Sequence, residues 1–266
     1  MKNRIKELFA KRKSGILSIY YTGGFPSLSA TVGIAEALAV AGADIIEIGI
    51  PYSDPVADGP TIQDSNTIAL RNGMRLSKLL EQVKEIRSKV EIPIILMGYI
   101  NPVLQYGIEK FVHDASNAGV DGVILPDLPM DEYLDNYKAL FHSANITNTF
   151  LISPTTSEER IRKIDTVSDG FIYAVSASSI TGAKGKFDSE QLDYFDRLTK
   201  MNLKNPYLIG FGISNSETFA TASKYGAGAI VGSAFVDVLK NSKDLDTDIA
   251  HFVKSLKSNG TQSSNR

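Results

Sequence analysis

The chain has 266 residues, 43% of them hydrophobic, enough to bury the core of one large α/β domain or two small ones. A net charge of −2, with no lysine-arginine patch beyond the first thirteen residues, argues against nucleic acid as a partner. Cysteine is absent, which excludes disulfides, a thiolate nucleophile and cysteine metal sites, and no apolar run reaches the length of a membrane span.

Residues 1–13 read as a short amphipathic helix with Ile5, Leu8 and Phe9 on one side. Ile16–Gly23 is an apolar strand that ends in a Gly-Gly-Phe-Pro turn, and Ser27–Gly42 has helical spacing closed by a glycine. Asp44–Gly49 is a second strand, apolar on both faces, with helical residues from about Ile62 to Lys89. Strands follow at Ile92–Tyr99, Asp121–Asp127, Thr147–Ser153, Gly170–Ser176, Tyr207–Gly212 and Gly228–Gly232. Helical segments alternate with them, near Asn101–Ala118, Glu132–Ser143, Ser157–Val167, Ser189–Lys200, Ser216–Tyr225 and on to Leu256. Ser157 is placed to cap its helix. Eight strand–helix alternations predict a single-domain (β/α)8 TIM barrel over 1–256 with an extra N-terminal helix, and the polar tail 257–266 is expected to be disordered. A doubly wound sheet is the runner-up, but no G-x-G-x-x-G follows an early strand.

In such a barrel, chemistry sits at the carboxyl ends of the strands. Glu47 lies inside the second strand on the face of Ile45 and Gly49, and that glycine is expected to leave open space above the carboxylate. Burial should raise its pKa, which suits proton transfer near neutral pH. The loop after that strand carries Asp54, read as turn structure, and Asp58, which stands open between turn and site; Asp127 also stands open between the two. After strands seven and eight come Gly210-Phe211-Gly212-Ile213-Ser214 and Val231-Gly232-Ser233-Ala234. Paired glycine-serine loops at these positions favour a phosphate, held by backbone N–H groups and a helix N-terminus. Loop Ala177–Ser189, with Thr181-Gly182, reads as a lid or a plain connection. Tyr20, Tyr99, Ile124 and Tyr173 fall at the mouth, where together they would line a slot for a flat aromatic group. No lysine falls inside a strand and His113, His142 and His251 all fall in helices, which disfavours a Schiff base, a His dyad or a metal cluster.

The run Glu47-Ile48-Gly49-Ile50-Pro51-Tyr52-Ser53-Asp54-Pro55-Val56-Ala57-Asp58-Gly59-Pro60 resembles the tryptophan synthase α-subunit family. Pro126-Asp127-Leu128-Pro129, Thr181-Gly182, Gly210–Ser214 and Gly232-Ser233-Ala234 extend the likeness from about Ile16 to Leu256. The resemblance implies retro-aldol cleavage of indole-3-glycerol phosphate to indole and glyceraldehyde 3-phosphate, with Glu47 moving protons and Asp58 holding the indole N–H. It implies Tyr20, Tyr99, Ile124 and Tyr173 around the indole, Gly182, Phe211, Gly212, Gly232 and Ser233 around the phosphate, and Thr181 in the closing loop. It also implies an αββα complex with a β subunit that carries the pyridoxal phosphate, so that this chain needs no metal and no cofactor. Ser53–Asp58, Asn101-Pro102 and Ala177–Ser189 would face that partner; the run Ala177-Ser178-Ser179 departs from the family pattern. A stand-alone indole-3-glycerol phosphate lyase and a non-catalytic phosphate-binding barrel are the alternatives. The charged start lacks an apolar signal core, so the expected setting is cytoplasmic, or plastid stroma if a transit peptide has been removed.

Overall fold

A computed structural model describes residues 3–176 and 185–258. Among them the β-branched, fully buried runs of the sequence become nine strands: β1 (Ile16–Thr22), β2 (Ile45–Gly49), β3 (Ile94–Met97), β4 (Gly122–Ile124), β5 (Thr147–Thr149), β6 (Leu151–Ile152), β7 (Ile172–Val175), β8 (Tyr207–Gly210) and β9 (Gly228–Val231). Every pairing is parallel, in the order β5-β4-β3-β2-β1-β9-β8-β7-β6. The expected fifth strand is β5 and β6 together, interrupted at Phe150. Its first half pairs with β4 and its second with β7, and the Tyr173 N–H donates to the Phe150 carbonyl at 2.9 Å across the break. Eight strand positions therefore close into the expected (β/α)8 barrel.

Strand alternation divides the core in two. Inward side chains such as Ile16, Ile45, Ile95, Ile124, Leu208 and Ile230 fill the barrel, and a larger cluster packs between sheet and helices. The amino-terminal end, the floor, is sealed by helix Arg4–Lys11, whose Asn3 side chain accepts from the N–H groups of Ile5 and Lys6. Ile5 and Phe9 point into the barrel, with Phe9 5.5 Å from Phe171; full burial of each contributes about 1.5–3 kcal/mol.

One helix-to-strand phrase recurs in the sequence, as Ala41-Gly42-Ala43-Asp44, Ala118-Gly119-Val120-Asp121 and Tyr225-Gly226-Ala227-Gly228, and the first two fold alike. Gly42 and Gly119 end their helices at φ 96° and 87°, a conformation that disfavours other residues. Each places its aspartate at the floor, where it accepts from a neighbouring strand's backbone (Leu17 N to Asp44, 2.9 Å; Ile94 N to Asp121, 3.0 Å) and meets arginine. The third phrase differs: Gly226 is extended at φ −118°.

Helix boundaries depart from expectation in three places. The run 62–89 is two helices, Pro60–Arg71 and Leu76–Arg87; the region after β3 is Ile100–Tyr106 and Ile108–Ala118; the last is Ser233–Asn241 and Leu245–Lys257. Residues 130–143 include a wider π turn at Tyr133–Tyr137. Ser157 caps as expected, accepting from Arg160 N at 3.3 Å. Of the tail 257–266, residues 259–266 lie outside the described residues.

Candidate active site

At the carboxyl ends of the strands a cavity of about 360 Å³ opens. Its wall includes Tyr20 from β1, Asp58 from the loop after β2, Tyr99 after β3 and Phe211 after β8, all singled out from the sequence. Ile124 and Tyr173, expected beside them, are instead packed in the inner core at 0% and 5% exposure. Thr181 and Gly182 lie outside the described residues.

Glu47 is fully buried on β2, facing inward as alternation required. The space above it is not open. Gly49 does leave a gap, but the Tyr20 hydroxyl fills it: a Cβ at Gly49 would lie 2.2 Å from that oxygen. Gly210 makes the same kind of room for the Tyr173 ring across the barrel. Two glycines thus set two phenols near the acid, and Glu47 itself is not on the cavity wall.

The electrostatics of the two acids follow from these surroundings. Burial pushes the Glu47 carboxyl up to about 7, opposed by a hydrogen bond from the Ser18 hydroxyl to Oε1 at 2.6 Å. Its Oε2 has no hydrogen-bond partner among the described residues. Asp58 is pushed up to about 6 by partial burial, opposed by the Tyr99 hydroxyl. That same hydroxyl accepts from Ala57 N at 3.0 Å and so holds the Asp58 loop in place. Burial keeps Tyr20 and Tyr173 neutral, and the negative charge of both acids adds to that effect.

The open question over Asp127 resolves toward structure: its Oδ1 accepts from Ile100 N at 2.8 Å, at the start of helix Ile100–Tyr106. Asp54 accepts from its neighbour Ser53 at 2.5 Å in the exposed loop, as turn chemistry does.

The two glycine-serine loops lie next to this cavity. Gly232 sits beside Tyr20, since a Cβ there would meet the ring at 3.7 Å. Ser233 is the exposed first residue of helix Ser233–Asn241, whose leading N–H groups carry partial positive charge. Phe211 and Gly212 both have positive φ, 68° and 73°, and the Phe211 carbonyl accepts from the Ser176 hydroxyl at 2.8 Å. A non-glycine residue held in that region is strain of the sort functional loops store.

Sequence reasoning missed Ser18, Asn66 and a group of hydroxyls on the wall, Ser153, Thr155 and Thr156. Asn66 is nearly buried and accepts from Tyr52 N at 3.3 Å, so it ties the loop to helix Pro60–Arg71. Its position on the inner side of that helix was the available signal. Among the described residues no group of His, Cys, Asp and Glu could hold a metal, and no helix is long and apolar enough to cross a membrane.

A family model described as tryptophan synthase alpha chain matches residues 6–264. The chain belongs to the tryptophan synthase alpha chain family. It is 56% identical over 234 residues to the tryptophan synthase alpha chain of Flavobacterium psychrophilum, covering 88% of this chain and 92% of that one. It is 54% identical to that of Flavobacterium johnsoniae over 240 residues, 90% and 94% of the two chains. Among solved structures, the alpha chain from Legionella pneumophila superposes with a TM-score of 0.85 at 34% identity, covering 97% of both chains. The tryptophan synthase of Mycobacterium tuberculosis gives 0.86 at 32%, covering 97% of this chain and 98% of that one. The resemblance drawn from the motifs is borne out, and with it the reading of the chain as a lyase of tryptophan synthesis with a TIM-barrel fold.

Proposed function

We propose that this chain cleaves indole-3-glycerol phosphate to indole and glyceraldehyde 3-phosphate by acid–base catalysis, with Glu47 as the proton carrier and Asp58 as the cation-stabilising carboxylate. The observation that carries the reading is a fully buried acid with one hydroxyl partner, beneath a cavity that bears a second acid.

Indole leaves poorly until its C3 is protonated. Protonated Glu47 gives its proton to C3 through the unpartnered Oε2, which must turn toward the cavity to do so. The ring nitrogen then carries positive charge, which ionised Asp58 steadies while accepting the N–H. As the bond between C3 and the glycerol carbon breaks, its electron pair returns to the ring, and Glu47, now a carboxylate, takes the proton of the hydroxyl on that carbon. The hydroxyl becomes the aldehyde and Glu47 is again an acid. This sequence needs Glu47 protonated and Asp58 ionised at the start. Their environments put them in that order, with Glu47 up to about 7 and Asp58 up to about 6. Neither a metal nor a Schiff base enters the steps.

In this reading Tyr20 and Tyr99 flank the indole, while Ile124 and Tyr173 support that end from the core. Phe211, Gly212, Gly232 and Ser233 hold the phosphate by backbone N–H groups and the helix N-terminus, with Thr181 and Gly182 closing over it. The chain works as the α part of an αββα assembly in the cytoplasm, and pyridoxal phosphate belongs to the β subunit. Two exposed apolar side chains support the partner surface: Val56 at 81%, within Ser53–Asp58, and Leu104 at 48%, just beyond Asn101-Pro102.

Indole release by the purified chain, with and without a tryptophan synthase β subunit, tests the proposal. Weak release that rises sharply with the partner supports it. High release without a partner favours the stand-alone lyase, and none in either case leaves a binding protein.

A further inference from the structure

The hydroxyl that meets Glu47 belongs to Ser18 on β1, 29 residues away in the chain. β1 and β2 pair with Ser18 opposite Ile45 and Tyr20 opposite Glu47. Ser18 is therefore the diagonal neighbour of Glu47 on the inner face, one pair nearer the floor. Both residues have no exposure to solvent. At 2.6 Å the contact is a close hydrogen bond of the O–H···O type. It engages Oε1 alone and leaves Oε2 without a partner among the described residues. The strand pairing fixes both backbones, so the geometry persists through the register rather than through a mobile loop.

From this arrangement we infer that Ser18 is a positioning residue for the reaction: its hydroxyl tethers Glu47 Oε1 on the floor side, leaves Oε2 as the oxygen that exchanges the proton, and sets how readily that proton is released. The inference rests on the reading of Glu47 as the proton carrier and goes beyond it.

The physical reason is the shortage of other help. A carboxylate buried here pays for desolvation, and the Ser18 hydroxyl is the group that offsets it. The ionisable groups that feel Glu47 are Tyr20 on β1 and Tyr173 on β7, and both of these also feel Asp58. The two phenols stay neutral and the further group they feel is an acid, so none of these supplies a balancing positive charge. Without Ser18 the ionised form loses its one donor among the described residues, and Glu47 holds its proton to a higher pH.

The test has two readouts on the full chain with its β subunit. The first follows the Glu47 side-chain carbon by NMR in protein labelled with 13C at glutamate Cδ, its signal assigned by its loss in Glu47→Gln. Ser18→Ala should move the Glu47 titration midpoint upward by about one unit, the size expected for losing a hydrogen bond to a charged group. Ser18→Thr, which restores a hydroxyl, should bring it back. The second readout is the falling alkaline limb of kcat/KM for indole release, which should move upward with the titration in Ser18→Ala. A Glu47 midpoint unchanged in Ser18→Ala overturns the inference. A midpoint that moves while the kinetic limb stays fixed upholds the Ser18–Glu47 coupling and overturns Glu47 as the proton carrier, so the two failures are distinguishable. A thermal unfolding scan of each variant shows that the comparison is made on folded protein.

Discussion

Asp121, just before β4 at the floor of the barrel, and Glu47, within β2 toward its mouth, are both buried acids, with 3% and 0% exposure, and their surroundings differ in kind. Asp121 collects Arg87 at 2.7 Å, Arg4 at 3.1 Å and the backbone N–H of Ile94 at 3.0 Å. Arg87 also donates to the carbonyls of Gly119, Val90 and Ile92, so the ion pair sits inside a saturated hydrogen-bond network. Among the described residues Glu47 has one serine hydroxyl and one oxygen without a partner. The floor thus compensates a buried charge fully, as structure requires, whereas the mouth leaves its acid undercompensated and so able to carry a proton near neutral pH. Burial by itself does not mark a catalytic acid. Burial without a cation does.

The sharpest way to break this contrast is to exchange what each acid supplies. Glu47→Gln keeps the shape of the side chain and removes the proton carrier. Indole release should fall by about 10³-fold or more, while a non-cleavable substrate analogue still binds; residual turnover near wild type would remove Glu47 from the chemistry. Asp121→Asn should do the reverse. Leaving Arg87 buried without its counter-charge should cost about 3 kcal/mol in urea unfolding, with turnover per folded molecule retained. Lost turnover with unchanged stability would erase the distinction between floor and mouth.

A smaller effect sharpens the comparison within the mouth itself. Ser233→Asp puts a negative charge at the start of helix Ser233–Asn241, where the proposed phosphate would bind. Affinity for inorganic phosphate or a phosphate ester should drop by about tenfold, and an unchanged dissociation constant would remove that loop from the site.

Much of this contrast could be read from the residues. Apolar runs alternating with helical segments pointed to eight strands, and side-chain alternation put Glu47 on the face of Ile45 and Gly49, because those signals are local. The paired aspartates of two of the recurring helix-to-strand phrases, Asp44 and Asp121, were visible as a repeat, but their arginines were not. Arg87 and Arg4 reach Asp121 from 34 and 117 residues away. The same limit hid Ser18, whose meeting with Glu47 depends on the register of β1 against β2. It also misled over Gly49, where an absent side chain suggested open space that Tyr20 in fact occupies. Ile124 ends β4 and Tyr173 is the second residue of β7, and how deep they sit depends on barrel closure, which the residues alone do not show. Helix breaks such as that between Pro60–Arg71 and Leu76–Arg87 fell inside stretches whose apolar spacing runs on through the turn.

The most direct test of the central claim is urea unfolding of the wild type and Glu47→Gln across pH 5 to 7.5. The Glu47 carboxyl is raised from 4.5 to about 7 in the folded protein, so the folded state holds a proton that the unfolded chain has released between those values. For a group raised in this direction, the stabilisation is complete below about 4.5 and is lost as pH rises through about 7. Groups common to both proteins cancel in the difference. The wild type should therefore lose about 2 to 3 kcal/mol of stability relative to Glu47→Gln between pH 5 and 7.5. A difference that stays flat over that range would mean that Glu47 is ionised as readily when folded as when unfolded, and would contradict its role as a held proton.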